Sequence, residues 1–216
     1  MIYLFLALVM VAGLVLVGVG TGSNQGGLLN AFTNNGSGGG QGQVIDQQTA
    51  NALKATKKHP NSASAWSSLV LARYSAAGIG SNFNSTTGAY SAGGKKQLQD
   101  AADAWLQYLK VSNDKPSFET SVLAARVYQN IAQWANESNA WEYAVQTQPA
   151  GSATSLKPYL CLSLSSYAAK RTSQGDLAAA KAVKLTPKLQ RLTLQSTLKS
   201  AKSSTTTAQE TLAEEC

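Results

Sequence analysis

Apolar and polar positions change character at residue 44. Residues 2–19, IYLFLALVMVAGLVLVGV, are apolar or glycine throughout and show no polar face. From Val44 onward, apolar residues recur every three or four positions instead. Trp66, Leu69, Val70 and Tyr74 set one such stripe, and Leu189, Leu192 and Leu198 set another. The first spacing places its residues along one side of a helix of 3.6 residues per turn, and the three leucines are expected on one side of the last helix. Alternating β-branched runs closed by Asn-Gly turns, the mark of strands, do not occur in this part of the chain. The pattern predicts an all-α domain with helices at 44–58, 62–77, 95–113, 117–133, 135–147, 154–171, 175–185 and 187–201. The last of these is expected to cap the array, with its leucines inward and its lysines and threonines outward.

Prolines punctuate this pattern. Pro60, Pro116, Pro149 and Pro187 each follow a helical segment, and each has a small or β-branched apolar residue five positions earlier: Ala55, Val111, Ala144 and Ala182. A small residue lets two helices approach closely. A proline lacks the N–H that would continue the helix, and its fixed φ suits the start of the next one. The stretch KATKKHPNSASAWSSLVLARY (54–74) contains the whole arrangement: Ala55, then Pro60, then Trp66 opening the next apolar stripe. The intervals between the four prolines are 56, 33 and 38 residues. A repeating unit of about 34 residues fits the last two. The first interval carries an insertion, the Gly/Ser/Asn-rich loop at 78–94.

The stripe Trp66, Leu69, Val70, Tyr74 resembles the first-helix pattern of the tetratricopeptide repeat family. Gly175-Asp176-Leu177-Ala178 resembles that family's turn between helices and the start of its second helix, with Ser173 placed to cap it. Ala124, Ala125 and Tyr128 fit the second repeat, where Ser121 or Val122 stands in place of the Trp. Trp141 fits the aromatic that precedes Ala144. The resemblance implies an antiparallel helix-pair solenoid over 44–201. It also implies a groove, lined by the first helix of each pair, that takes a peptide or a helix. Leu71, Tyr74, Arg126, Gln129 and Asn130 are the positions that would line this groove. Short anchor, Gly-rich tether and repeats together are similar to membrane-anchored repeat proteins of bacteria.

The amino-terminal fifth adds the membrane. An apolar helix over 2–19 would reach ~27 Å, close to the ~30 Å hydrocarbon core of a bilayer. Residues 1–19 are therefore expected to be a single transmembrane anchor. A cleaved signal peptide is the alternative, and it would give a secreted form. Residues 20–43 hold nine glycines and no charge, the composition of a flexible linker. The repeat domain is expected outside the cytoplasm, and residues 202–216 are expected to be a disordered tail.

The 216-residue chain carries a net charge of +7. From Lys157 to Lys202 there are nine basic residues against one acid, Asp176. These charges are not interleaved with aromatics, so nucleic acid is not an expected partner. Two cysteines, Cys161 and Cys216, form no metal-ligand spacing, and the sequence leaves their pairing open. His59 lies at a helix end, where the helix dipole is partner enough. Asp100 and Asp103 likewise fit the amino-terminal half of their helix. No phosphate loop, zinc motif or nucleophile elbow occurs. The expectation is a protein without catalytic residues, metal or cofactor: a membrane-tethered interaction module or assembly scaffold with a protein or peptide partner. A structural subunit of a cell-envelope membrane complex is the second reading. A basic accessory protein that binds surface polyanions is the third.

Overall fold

The computed structural model describes residues 40–149 and 155–216. The expected anchor at 1–19 and the linker as far as residue 39 lie outside the described residues. Among the described residues, no helix is long and apolar enough to cross a membrane.

The fold is all-α, as the periodicity predicts. The helices are α1 (Gly40–Lys58), α2 (Ala63–Ala77), α3 (Ala92–Val111), α4 (Phe118–Asn130), α5 (Trp134–Gln146), α6 (Leu156–Ala168), α7 (Thr172–Leu185), α8 (Arg191–Ser203) and α9 (Thr205–Glu215). Serines open several of them. The hydroxyls of Ser62, Ser91, Ser117 and Ser204 accept from the backbone N–H three residues on, at 3.2–3.3 Å. Each satisfies a donor that the first helical turn leaves free. The four repeat-marking prolines all fall in connections between helices. At the first connection Trp66 Nε1 donates to the Pro60 carbonyl at 2.7 Å, which ties the boundary together. At the second, the Ser117 N–H donates to the Tyr108 hydroxyl at 2.8 Å.

Consecutive helices pack as antiparallel pairs: α2 with α3, α4 with α5, α6 with α7. The turns inside the last two pairs are alike. Ala132 (φ 56°) and Lys170 (φ 60°) take the left-handed position 38 residues apart. Just beyond them, Gln133 N–H reaches the Tyr128 carbonyl at 2.9 Å, and Arg171 N–H reaches the Ser166 carbonyl at 2.7 Å. These bonds satisfy carbonyls at the helix end in the Schellman manner. The spacing equals the Pro149–Pro187 interval, so turn and proline keep one register.

Small residues let the pairs approach. Ala124, Ala125, Ala144 and Ala182 are fully buried, and larger side chains such as Leu98, Trp105, Trp141 and Leu164 fill the space between helices. Of the residues five before each proline, Ala144 and Ala182 sit at such tight contacts, whereas Ala55 and Val111 are only half-buried.

Five expectations need correction. The leucines of the expected capping helix do not share a buried side: Leu198 is buried, whereas Leu189 and Leu192 are exposed at 98% and 79%. Helix α1 begins at Gly40, inside the expected linker, because extending an existing helix costs far less than nucleating one. The 78–94 insertion is not wholly loop. It holds a two-residue hairpin, β1 (Phe83–Asn84) against β2 (Ala89–Tyr90), and α3 starts at Ala92. Gly175 is not the turn before α7, and Ser173 does not cap it. The helix opens at Thr172, and Gly175 lies in its second turn, packed on Tyr167. A Cβ there would lie 2.4 Å from the Tyr167 ring, so the position needs a glycine for close approach. Finally, the tail is not disordered. Thr205–Glu215 is helical, with Ala208 and Leu212 buried, because it packs on α6 and α8.

Candidate functional site

The first helices of the pairs were expected to form the binding face. Helix α2 lies against α4, and the Ser67 and Thr120 hydroxyls meet across that contact at 2.9 Å. Gln129 and Asn130, at the end of α4, line a cavity of about 450 Å³ with Tyr90, Lys95, Trp134 and Ala213. Tyr74 on α2 approaches this region through Tyr90. Burial pushes the Tyr90 phenol up from its ordinary value, and the neighbouring Tyr74 adds to the shift. Arg126 is exposed one turn before Asn130, whose side-chain amide donates to the Arg126 carbonyl at 2.9 Å. Leu71 is half-buried on α2 and is not among the residues lining that cavity.

The cavity has a wall that the sequence did not announce. Ala213 belongs to α9, and the Gln129 side-chain amide donates to the Leu212 carbonyl at 3.0 Å, 83 residues away in sequence. Helix α9 lies along α6 and ends in a disulfide between Cys216 and Cys161. Every residue of α6 from Leu160 to Ala168 is buried, enclosed by α5, α7, α8 and α9. A second cavity, of about 320 Å³, opens where Leu156 and Leu160 of α6 meet Thr211 and Glu215 of α9 and Leu194 of α8.

A signal for this cover was present in the sequence. LCLSLSSYA has no charged residue and no long polar one, so it has no face suited to water. Ala208, Leu212 and Cys216 recur at intervals of four, the spacing of a single helical stripe.

Glu137 on α5 is the other residue that sequence reading passed over. It is fully buried, and Trp141 Nε1 donates to its Oε1 at 3.3 Å. Its Oε2 is buried without a hydrogen-bond partner among the described residues. Burial pushes its carboxyl up to about 8, against a smaller downward pull from the Trp141 bond. Glu137 is therefore held neutral near pH 7, where an isolated buried charge would be costly. The nearby serines are satisfied within the core. The Ser138 and Ser166 hydroxyls pair at 2.8 Å, and Ser163 donates to the Gly175 carbonyl at 3.0 Å.

The carboxylates noted in α3 are engaged on the surface. Asp100 pairs with Lys96 at 3.0 Å and Arg73 at 3.3 Å, and Asp103 accepts from Gln99 at 3.2 Å. Among the described residues, no group of three or more His, Cys, Asp or Glu stands together as a metal site would require. His59 is exposed beside Pro60. A further cavity, of about 530 Å³, lies between α3 and α5 and is lined by Trp105, Leu109, Asp114, Glu142 and Tyr143 among others.

No protein-family model, curated protein or solved structure matches the chain.

Proposed function

We propose that the chain is a membrane-tethered protein–protein interaction module whose tetratricopeptide-like helix pairs bind a peptide or helix. The observation that carries this reading is α9. The chain's own amphipathic helix lies along α6 and bonds to Gln129, one of the residues expected to line the groove. A face that accepts one helix in this way has the shape and the backbone-directed donor to accept another. The shared turn geometry of α4–α5 and α6–α7 supports a repeat built from helix pairs. The Cys161–Cys216 disulfide supports an oxidising compartment, in keeping with an anchor that exports the repeat domain. In this reading the amino-terminal anchor restricts diffusion, the Gly-rich linker sets reach and the first-helix face selects the partner.

Crosslinking in whole cells, followed by mass spectrometry, tests it. The full chain is compared with a form lacking residues 1–43 and with a Tyr74→Ala, Asn130→Lys variant. The full chain should capture a defined partner that both altered forms lose. Equal capture by all three would defeat the reading.

A further inference from the structure

We infer that α9 is a latched occupant of the binding face, and that reduction of Cys161–Cys216 opens the surface beneath it to an amphipathic helix from a partner. The inference rests on the reading of the first-helix face as the partner groove.

Three observations lead to it. The first is that, besides the covalent bond, α9 is held by one short face against α6 and α8 and by the bond from Gln129. Only Ala208 and Leu212 are buried in it, and Leu212 is its one large buried side chain. Its amino-terminal joint is a single residue, Ser204, in extended backbone (φ −143°, ψ 121°) between α8 and α9. That joint lets the helix swing without disturbing the rest.

The second is what α9 covers. Leu160, Cys161 and Leu164 of α6 are buried at 7%, 0% and 0% exposure, and the cavity beside Leu160 is walled by Thr211 and Glu215 of α9 together with α8 and the segment before it. Lifting α9 would uncover an apolar strip of α6 and leave the Gln129 amide without its acceptor. A strip with one free polar donor matches a helix carrying a small and a large apolar residue four positions apart, as Ala208 and Leu212 are.

The third is the asymmetry of the disulfide. Cys161 is fully buried and Cys216 only half-buried, so an incoming thiolate reaches the Cys216 sulfur first. Attack by a small thiol forms a mixed disulfide at Cys216 and expels the Cys161 thiolate, which takes up a proton. A second thiolate attacks the reagent's sulfur in that mixed disulfide and frees Cys216 as a thiolate, which is protonated in turn. Two electrons and two protons reach the protein, and two reagent thiols leave as their disulfide.

Hydrogen exchange on the full chain tests the latch in three forms: oxidised, reduced with a small dithiol, and Cys216→Ser. Reduction and the substitution should each speed exchange in Thr205–Glu215 at least tenfold more than in α3 and α4, whose protection falls only with global stability. Unchanged protection of α9 would make it a fixed part of the core and overturn the inference. So would an equal loss of protection in α3, α4 and α9. A labelled Thr205–Glu215 peptide then probes the uncovered strip. It should bind the full chain carrying Cys216→Ser and Leu212→Glu, whose own α9 is released, and should not bind the oxidised wild type. Failure to bind the released chain, or equal binding by a Leu212→Glu peptide, would also overturn it. Whole-cell crosslinking remains an independent readout. Opening of α9 without any captured partner would sink the groove and leave the latch, whereas capture without opening would sink the latch alone.

Discussion

Glu137 makes stability fall as pH rises, and its environment sets the window. In the unfolded chain its carboxyl titrates near the ordinary value of 4.5, whereas in the folded protein burial raises it to about 8. Between those values the folded state binds one more proton than the unfolded state. The contribution is fully present below 4.5 and is lost as pH rises through 8. Each unit of separation is worth about 1.4 kcal/mol, so the window spans on the order of 5 kcal/mol. That is a large share of the roughly 5–15 kcal/mol that holds a typical domain folded. Glu137→Gln removes the titration while keeping the volume and an acceptor for Trp141 Nε1. Urea midpoints at pH 5, 6.5, 8 and 9 measure the effect. Wild type should lose stability relative to Glu137→Gln progressively up to about pH 8, where the difference levels off. Other titrating groups cancel in that comparison. Parallel pH curves for the two proteins would refute the buried-carboxyl account.

The remaining predictions concern packing and the carboxy terminus. Gly175→Ala forces a Cβ against the Tyr167 ring, which the Asp176 hydrogen bond at 2.9 Å helps to hold. It should cost about 1–3 kcal/mol in denaturant midpoint, while Gly42→Ala, with nothing within 4 Å, should cost nothing. Leu98→Ala, at a fully buried position of α3, should cost about 2–5 kcal/mol by thermal or chemical unfolding. Cys216→Ser opens a loop of 55 residues' separation and should lower global stability by about 2–4 kcal/mol under non-reducing conditions. A midpoint equal to wild type would mean the bridge constrains the unfolded chain far less than its length implies.

The prolines and the apolar period made the helices legible because both act locally. Pro60, Pro149 and Pro187 follow helix ends by two or three residues and bar their continuation by covalent geometry, whereas α3 stops at Val111, where Asn113 and Asp114 turn left-handed ahead of Pro116. Gly175 was misplaced for the opposite reason. A glycine after a helical segment suggests a turn, but here its missing Cβ serves the approach of Tyr167 from another helix. The left-handed turn fell instead on Lys170, a residue type that gives no such local signal. The candidate face was partly legible. Gln129 and Asn130 come together at one cavity, with Tyr74 nearby through Tyr90, while Leu71 and Arg126 stand outside it.

What the sequence determined by itself is the class of structure: helices of given length, stops between them, and an apolar face on each. Those follow from backbone sterics and from a period of 3.6 residues, which every short window of sequence carries. What only the tertiary structure decided is which apolar faces meet. KSSTTTAQETLAEEC reads as a tail, yet it is held as a docked helix because α6 offers Leu212 and Cys216 a surface to bury against. Glu137 reads as an ordinary solvated acid on a helix, and only the closure of its neighbours around it turns it into a neutral buried group. Both depend on residues distant in sequence, so no local window could contain them.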